Sequence, residues 1–140
     1  MVPALTVHRS RGRKRSGGGL GRSAETVALW YLRMRGYRLR HRNWQGAGGE
    51  LDLVMAHRDE VVFVEVKARR GQDFGGAAGA VTHAKQRHLR RAASGYLGRF
   101  GLWDRPCRFD VVTVERRSGF PWWQISHLRD VMRLEQGRMM

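Results

Sequence analysis

GGELDLVMAHRDEVVFVEVKARR, residues 48–70, sets acidic side chains among strand-forming apolar ones in a protein that is otherwise strongly basic. Residues 51–56 and 61–66 have the length and the β-branched composition of two strands, with His57, Arg58, Asp59 and Glu60 as the turn between them. Pairing across that turn places Ala56 opposite Val61, Val54 opposite Phe63, Asp52 opposite Glu65 and Glu50 opposite Lys67. Side chains alternate along a strand, so Glu50, Asp52, Val54 and Ala56 share one face, as do Val61, Phe63, Glu65 and Lys67. Opposed residues bring their Cβ atoms to about 4.5–5.5 Å, where two carboxylates repel.

Two readings of that pair stand side by side. In one, the hairpin has an ordinary solvated polar face. In the other, Val54, Val61 and Phe63 require cover, the acids lie at the end of a buried face, and a cation or a proton must sit between them. Hard oxygen ligands suit Mg²⁺ or Mn²⁺. Asp52 and Glu65 are then the primary candidate ligands and Glu50 a further one. Lys67, about 7 Å along the strand from Glu65, stands beside the same point.

The rest of the chain supplies the charge. Twenty-seven Lys and Arg against twelve Asp and Glu give +15 over 140 residues, enough length for one domain with a modest core. A field of that sign concentrates polyanions, which points to nucleic acid as partner. No apolar run approaches the ~20 residues of a membrane span. The single Cys107 excludes an internal disulfide or a Cys-based zinc cluster and reads as a small buried hydrophobe. The basic N-terminus lacks the apolar stretch of a secretory signal, so the expected location is cytoplasmic.

Residues 1–19 carry five Lys/Arg, no acid and a closing glycine run, the composition of a flexible basic arm; the remainder still carries +10. Ser23 and Gly36 bracket a predicted first helix with an apolar stripe of Ala24, Val27, Ala28, Tyr31 and Leu32. YRLRHRNW (37–44) reads as a basic edge strand. A second helix is predicted from about Thr82, burying Leu89, Ala92, Ala93, Tyr96, Leu97 and Phe100. CRFDVVTVE and WWQISHL read as two more strands. The order α-β-β-β-α-β-β implies an α/β protein with a mixed sheet flanked by helices. Three more residues bear on the site. Glu25 lies beside the stripe of the first helix, where a first-turn acid also suits the helix dipole. Gln86 shares a face with Leu89 and Ala93. Asp110 alternates with Val112 and Val114, and an ion pair with a nearby Arg accounts for it.

Gly49-Glu50-Leu51-Asp52-Leu53 followed by Val64-Glu65-Val66-Lys67 resembles the core of the PD-(D/E)XK nuclease superfamily. The blocks GRSAETVALWYLRMRGY, RNWQGAGGELDLV, VFVEVKARR, FGGAAGAVTHAKQRHLRRAA and CRFDVVTV, in that order, are similar to the bacterial UPF0102 (YraN-like) family, related to archaeal Holliday-junction resolvases. The resemblance runs from about Gly21 to Asp130. It departs at Ala68, where relatives usually carry Thr, and no Pro precedes Asp52.

This resemblance implies a restriction-endonuclease-like fold over residues 20–130, with a C-terminal tail at 131–140. It also implies Mg²⁺- or Mn²⁺-dependent hydrolysis of phosphodiesters, in branched or structured DNA. Asp52, Glu65 and Lys67 fall on the motif, Glu25 on the first-helix Glu of the resolvase-like branch, and Gln86 on a helical Gln. Asp52, Glu65, the Val66 carbonyl, Glu25 and Glu50 are the expected metal ligands. Arg38, Arg40, Arg42, Lys85, Arg87 and Arg90 are the expected phosphate contacts. A homodimer suits an enzyme that cuts two strands symmetrically. The alternative is a non-catalytic nucleic-acid-binding protein that keeps the fold.

Overall fold

The computed structural model describes residues 19–70 and 82–134. The expected basic arm lies outside the described residues except for Gly19. So do most of the Gly-rich stretch before the second helix and the last six residues. The elements follow in the expected order: α1 (Gly19–Met34), β1 (Arg38–Gly46), β2 (Gly49–His57), β3 (Glu60–Arg70), α2 (His83–Phe100), β4 (Cys107–Arg116) and β5 (Trp123–Met132). The five strands form one sheet in sequence order, antiparallel throughout except for the parallel pair β3–β4, which α2 joins as the crossover. No helix among the described residues is long and apolar enough to cross a membrane.

Each helix covers one face of the sheet. Ala24, Ala28, Leu29 and Leu32 of α1 recur at helical spacing and pack on Leu39, Leu53, Met55, Val62, Val64, Val112 and Val114. Leu89, Ala92, Ala93, Tyr96 and Leu97 of α2 pack on Leu51, Val54, Val61, Phe63, Phe109 and Met132. Removing these side chains from water is the main favourable contribution to folding. Tyr96 is fully buried at the centre of the α2 layer, edge-to-face with His41, Trp44 and Phe63. Its hydroxyl meets Arg40 Nε at 3.0 Å and His41 Nδ1 at 2.7 Å, so the buried phenol is not left unpaired.

The helix ends follow their sequence signals. Thr82 caps α2, its side-chain oxygen accepting the Lys85 N–H at 3.2 Å. Gly101 closes the helix in the left-handed conformation, φ 64°, and Gly36 stands just past α1 at φ 89°. Two expectations shift. α1 starts at Gly19, about a turn before Ser23. Phe100, expected in the core, is 37% exposed; as the last residue of α2 it overhangs the layer and rests on His41 and Tyr96.

Candidate active site

The hairpin register is the one the turn length predicts: His57↔Glu60, Ala56↔Val61, Val54↔Phe63 and Leu53↔Val64. There the ladder ends, short of the expected Asp52–Glu65 and Glu50–Lys67 pairs. On its other side β2 keeps pairing with β1 through Leu51↔Trp44 and Glu50↔Gln45. The alternation of β2 also breaks at this point. Residues two apart on a regular strand share a face, yet Leu51 packs with the α2 layer and Leu53 with the α1 layer. Asp52 lies at this break. Its Oδ2 accepts the Val66 N–H at 3.0 Å, tying the carboxylate to β3 where the ladder stops. On a strand, N–H and C=O of one residue point to the same neighbour, so the Val66 carbonyl is aimed at the same gap.

Asp52 and Glu65 are both buried, at 3% and 6% exposure. Burial first, and then the negative charge of Glu65, push the Asp52 carboxyl up from 3.8 to about 7; the Val66 N–H pulls it down, and Glu25 adds a further push upward. Glu65 thus lies close enough to Asp52 to act on its ionisation. Asp52 therefore keeps its proton up to near neutrality unless a cation takes its place. Glu65 Oε1 also faces Lys67 Nζ at 3.4 Å and Lys85 Nζ at 3.2 Å.

Two of the other expected ligands lie on α1 and β2. Glu25 is half-buried on α1 and pairs with Arg42 Nε at 3.6 Å, while Arg42 Nη2 donates to Thr26 Oγ1 at 3.0 Å. Glu50 lies in the β1–β2 ladder beside Gln45. Among the described residues no group of three or more His, Cys, Asp or Glu is arranged to hold a metal ion. The donors that could hold a hard cation at the break in β2 are Asp52, Glu65 and the Val66 carbonyl. Water and phosphate oxygens would complete the shell, as is usual for Mg²⁺.

The expected phosphate contacts divide in two. Arg38, Arg87 and Arg90 are exposed. Arg40, Arg42 and Lys85 instead contact Tyr96, Glu25 and Glu65 within the protein. Gln86 is half-buried in the first turn of α2, its backbone N–H on the Thr82 carbonyl at 2.8 Å. Cys107 is free and half-buried, and burial raises its thiol to about 11, which leaves it unreactive.

A second buried polar cluster lies on the α1 face. Asp110, 1% exposed, accepts from Arg108 at 2.9 and 3.1 Å and from the Asp130 N–H at 3.0 Å, and lies 2.8 Å from His127 Nε2. Arg108 also donates to the Tyr37 hydroxyl at 2.7 Å and to Glu60 at 3.3 Å. The ion pair expected for Asp110 is present. Asp110's additional partners come from β5, and Arg108's are Tyr37 and Glu60, a convergence that spacing along one strand does not reveal. Through Asp130 and His127 this cluster fastens β5, which continues past the expected strand end at Leu128 to the buried Met132.

The pH dependence of stability isolates the Asp52 charge. In the folded protein ionisation of Asp52 is disfavoured, so its contribution is complete below about pH 4 and is lost as pH rises through about 7. The shift from 3.8 to about 7 corresponds to roughly 4 kcal/mol at most. His57, whose pKa is lowered first by burial and then by nearby Arg residues, pulls the opposite way over part of this range. The difference between wild type and Asp52→Asn removes that background. Urea unfolding in EDTA is expected to show wild type losing stability relative to Asp52→Asn between pH 4 and 7.5. A difference that stays flat across that range would refute the raised Asp52 carboxyl.

Residues 24–114 match the family model described as Uncharacterised protein family UPF0102. A UPF0102 protein of Nitrosococcus oceani is 45% identical over 116 residues, covering 82% of this chain and 92% of that protein. UPF0102 proteins of Pseudomonas entomophila and Stutzerimonas stutzeri are 51% and 52% identical over 96 and 95 residues. These matches cover 68% and 67% of this chain and 78% and 79% of those proteins.

Proposed function

The chain belongs to the UPF0102 family, and on that footing we propose that it is a divalent-metal-dependent nuclease acting on branched or structured DNA. The observation that carries this reading is the buried pair Asp52–Glu65, set at the end of a ladder and bordered by two lysines. Two adjacent buried carboxylates cost stability unless they serve a cation. A cation held there by Asp52, Glu65 and the Val66 carbonyl would supply a Lewis acid for a phosphate oxygen and lower the pKa of a bound water.

The protein's own residues do the positioning. The Val66 N–H fixes the Asp52 carboxylate. Lys67, one strand repeat beyond Glu65, orients the attacking water and offsets the charge that develops on the phosphate. Water adds to phosphorus and one P–O ester bond breaks, leaving a phosphate monoester and a hydroxyl. The exposed Arg38, Arg87 and Arg90 contact backbone phosphates, which carry shape rather than sequence information.

Incubation with flapped and four-way-branched DNA tests the reading. Cleavage is expected with Mg²⁺ or Mn²⁺ and is expected to stop on addition of EDTA. The other reading, a binding protein without catalysis, draws on the absence of a third acidic ligand among the described residues. It predicts salt-sensitive binding that is indifferent to metal and to Asp52→Asn, with no product under any condition.

A further inference from the structure

Glu65 Oε1 faces two ammonium groups, and they arrive by different routes. Lys67 stands two residues along the same strand, so its closeness follows from local geometry. Lys85 is brought in from α2. The Thr82 cap takes the Lys85 backbone N–H at 3.2 Å and so fixes where this side chain starts. Its Nζ then lies 3.2 Å from Glu65 Oε1, closer than the 3.4 Å of Lys67. Both lysine side chains are about a third exposed, at 31% and 30%, while the Glu65 side chain is only 5% exposed. A buried carboxylate is thus bordered by two partly exposed cations.

An inner-sphere Mg²⁺ or Mn²⁺ needs that carboxylate at about 2.0–2.2 Å. An ammonium at hydrogen-bond distance from the same oxygen then becomes a like charge only a few ångströms away. Of the two lysines, Lys85 is the one held on a separate element, so it can leave without disturbing β3. Resting on the nuclease reading of Asp52 and Glu65, we propose that Lys85 is an exchangeable active-site cation. It holds Glu65 Oε1 until a divalent ion takes that oxygen, and its ammonium then grips a non-bridging oxygen of the scissile phosphate. The phosphate must lie against the bound ion, hence within a few ångströms of the displaced amine. It would also lie near the positive end of the α2 dipole. Loading of the ion is then opposed by Lys85 when nucleic acid is absent and helped when the phosphate is present to receive it. The two ligands therefore favour each other's binding.

The test measures Mn²⁺ affinity of the full chain by calorimetry without nucleic acid, and single-turnover cleavage at saturating Mn²⁺. Lys85→Met and Lys85→Gln, two neutral variants of different polarity, are each expected to bind Mn²⁺ about 10-fold more tightly than wild type and to cleave at least ~10-fold more slowly. Lys85→Arg, which keeps the charge, is expected to stay close to wild type in both measurements. Equal or weaker Mn²⁺ binding by both neutral variants, or undiminished cleavage by them, overturns the proposal. If wild type binds Mn²⁺ and cleaves while the neutral variants are indistinguishable from it, this inference falls alone. If neither wild type nor any variant binds Mn²⁺, it falls together with the nuclease reading.

Discussion

Glu65→Gln is expected to lower metal-dependent cleavage by at least ~100-fold, the scale on which losing one preorganised electrostatic group acts. The substitution keeps the shape of the side chain and removes its charge. Lys67 and Lys85, at 3.4 and 3.2 Å from Oε1, would then face a neutral amide, and a divalent ion would lose one of its two carboxylate ligands. Asp52 would lose the like charge that helps raise its carboxyl to about 7. The variant should therefore fold at least as well as wild type in EDTA while failing in catalysis. A general packing defect could not produce that combination. Binding to branched DNA should persist, since Arg38, Arg87 and Arg90 are untouched. Cleavage by Glu65→Gln at the wild-type rate would point to a contaminating nuclease.

The largest loss of stability is expected at the other polar cluster. Arg108→Met removes the guanidinium that Asp110, Tyr37 and Glu60 share, and leaves Asp110 buried with His127 and one backbone N–H. Breaking a buried pair by deleting one partner costs about 3–5 kcal/mol, because the remaining charge is stranded. Glu60 is 39% exposed and water can solvate it, so the lower end of that range applies. The double variant Arg108→Met/Asp110→Asn should recover part of the loss in urea unfolding. Two losses that simply add would show that the residues are not coupled.

The parts of this molecule legible from sequence are those set by local periodicity. The turn at 57–60 dictates the register from His57↔Glu60 to Leu53↔Val64, and the helical stripes identify most of both core layers. Alternation and turn length put Asp52, Glu65 and Lys67 within one short hairpin, and both acids are buried there. What spacing does not carry is the reach of long side chains between elements. Arg40, Arg42 and Lys85 look like surface cations on a basic protein, yet each meets a partner from another part of the fold. The break in alternation at Asp52 is equally invisible in a run of apolar residues, because Leu51 and Leu53 suit either face. It emerges only in the folded chain, where Leu51 joins the α2 layer and Leu53 the α1 layer.

A crystal of the protein soaked in Mn²⁺ near pH 7 and read by anomalous scattering examines the cation-holding pair itself. One Mn²⁺ is expected within about 2.0–2.2 Å of carboxylate oxygens of both Asp52 and Glu65, with Lys85 moved off Glu65 Oε1. Mn²⁺ found only on surface groups, with the lysines still on Glu65 and no ion between the two acids, would mean that the pair does not exist to hold a metal.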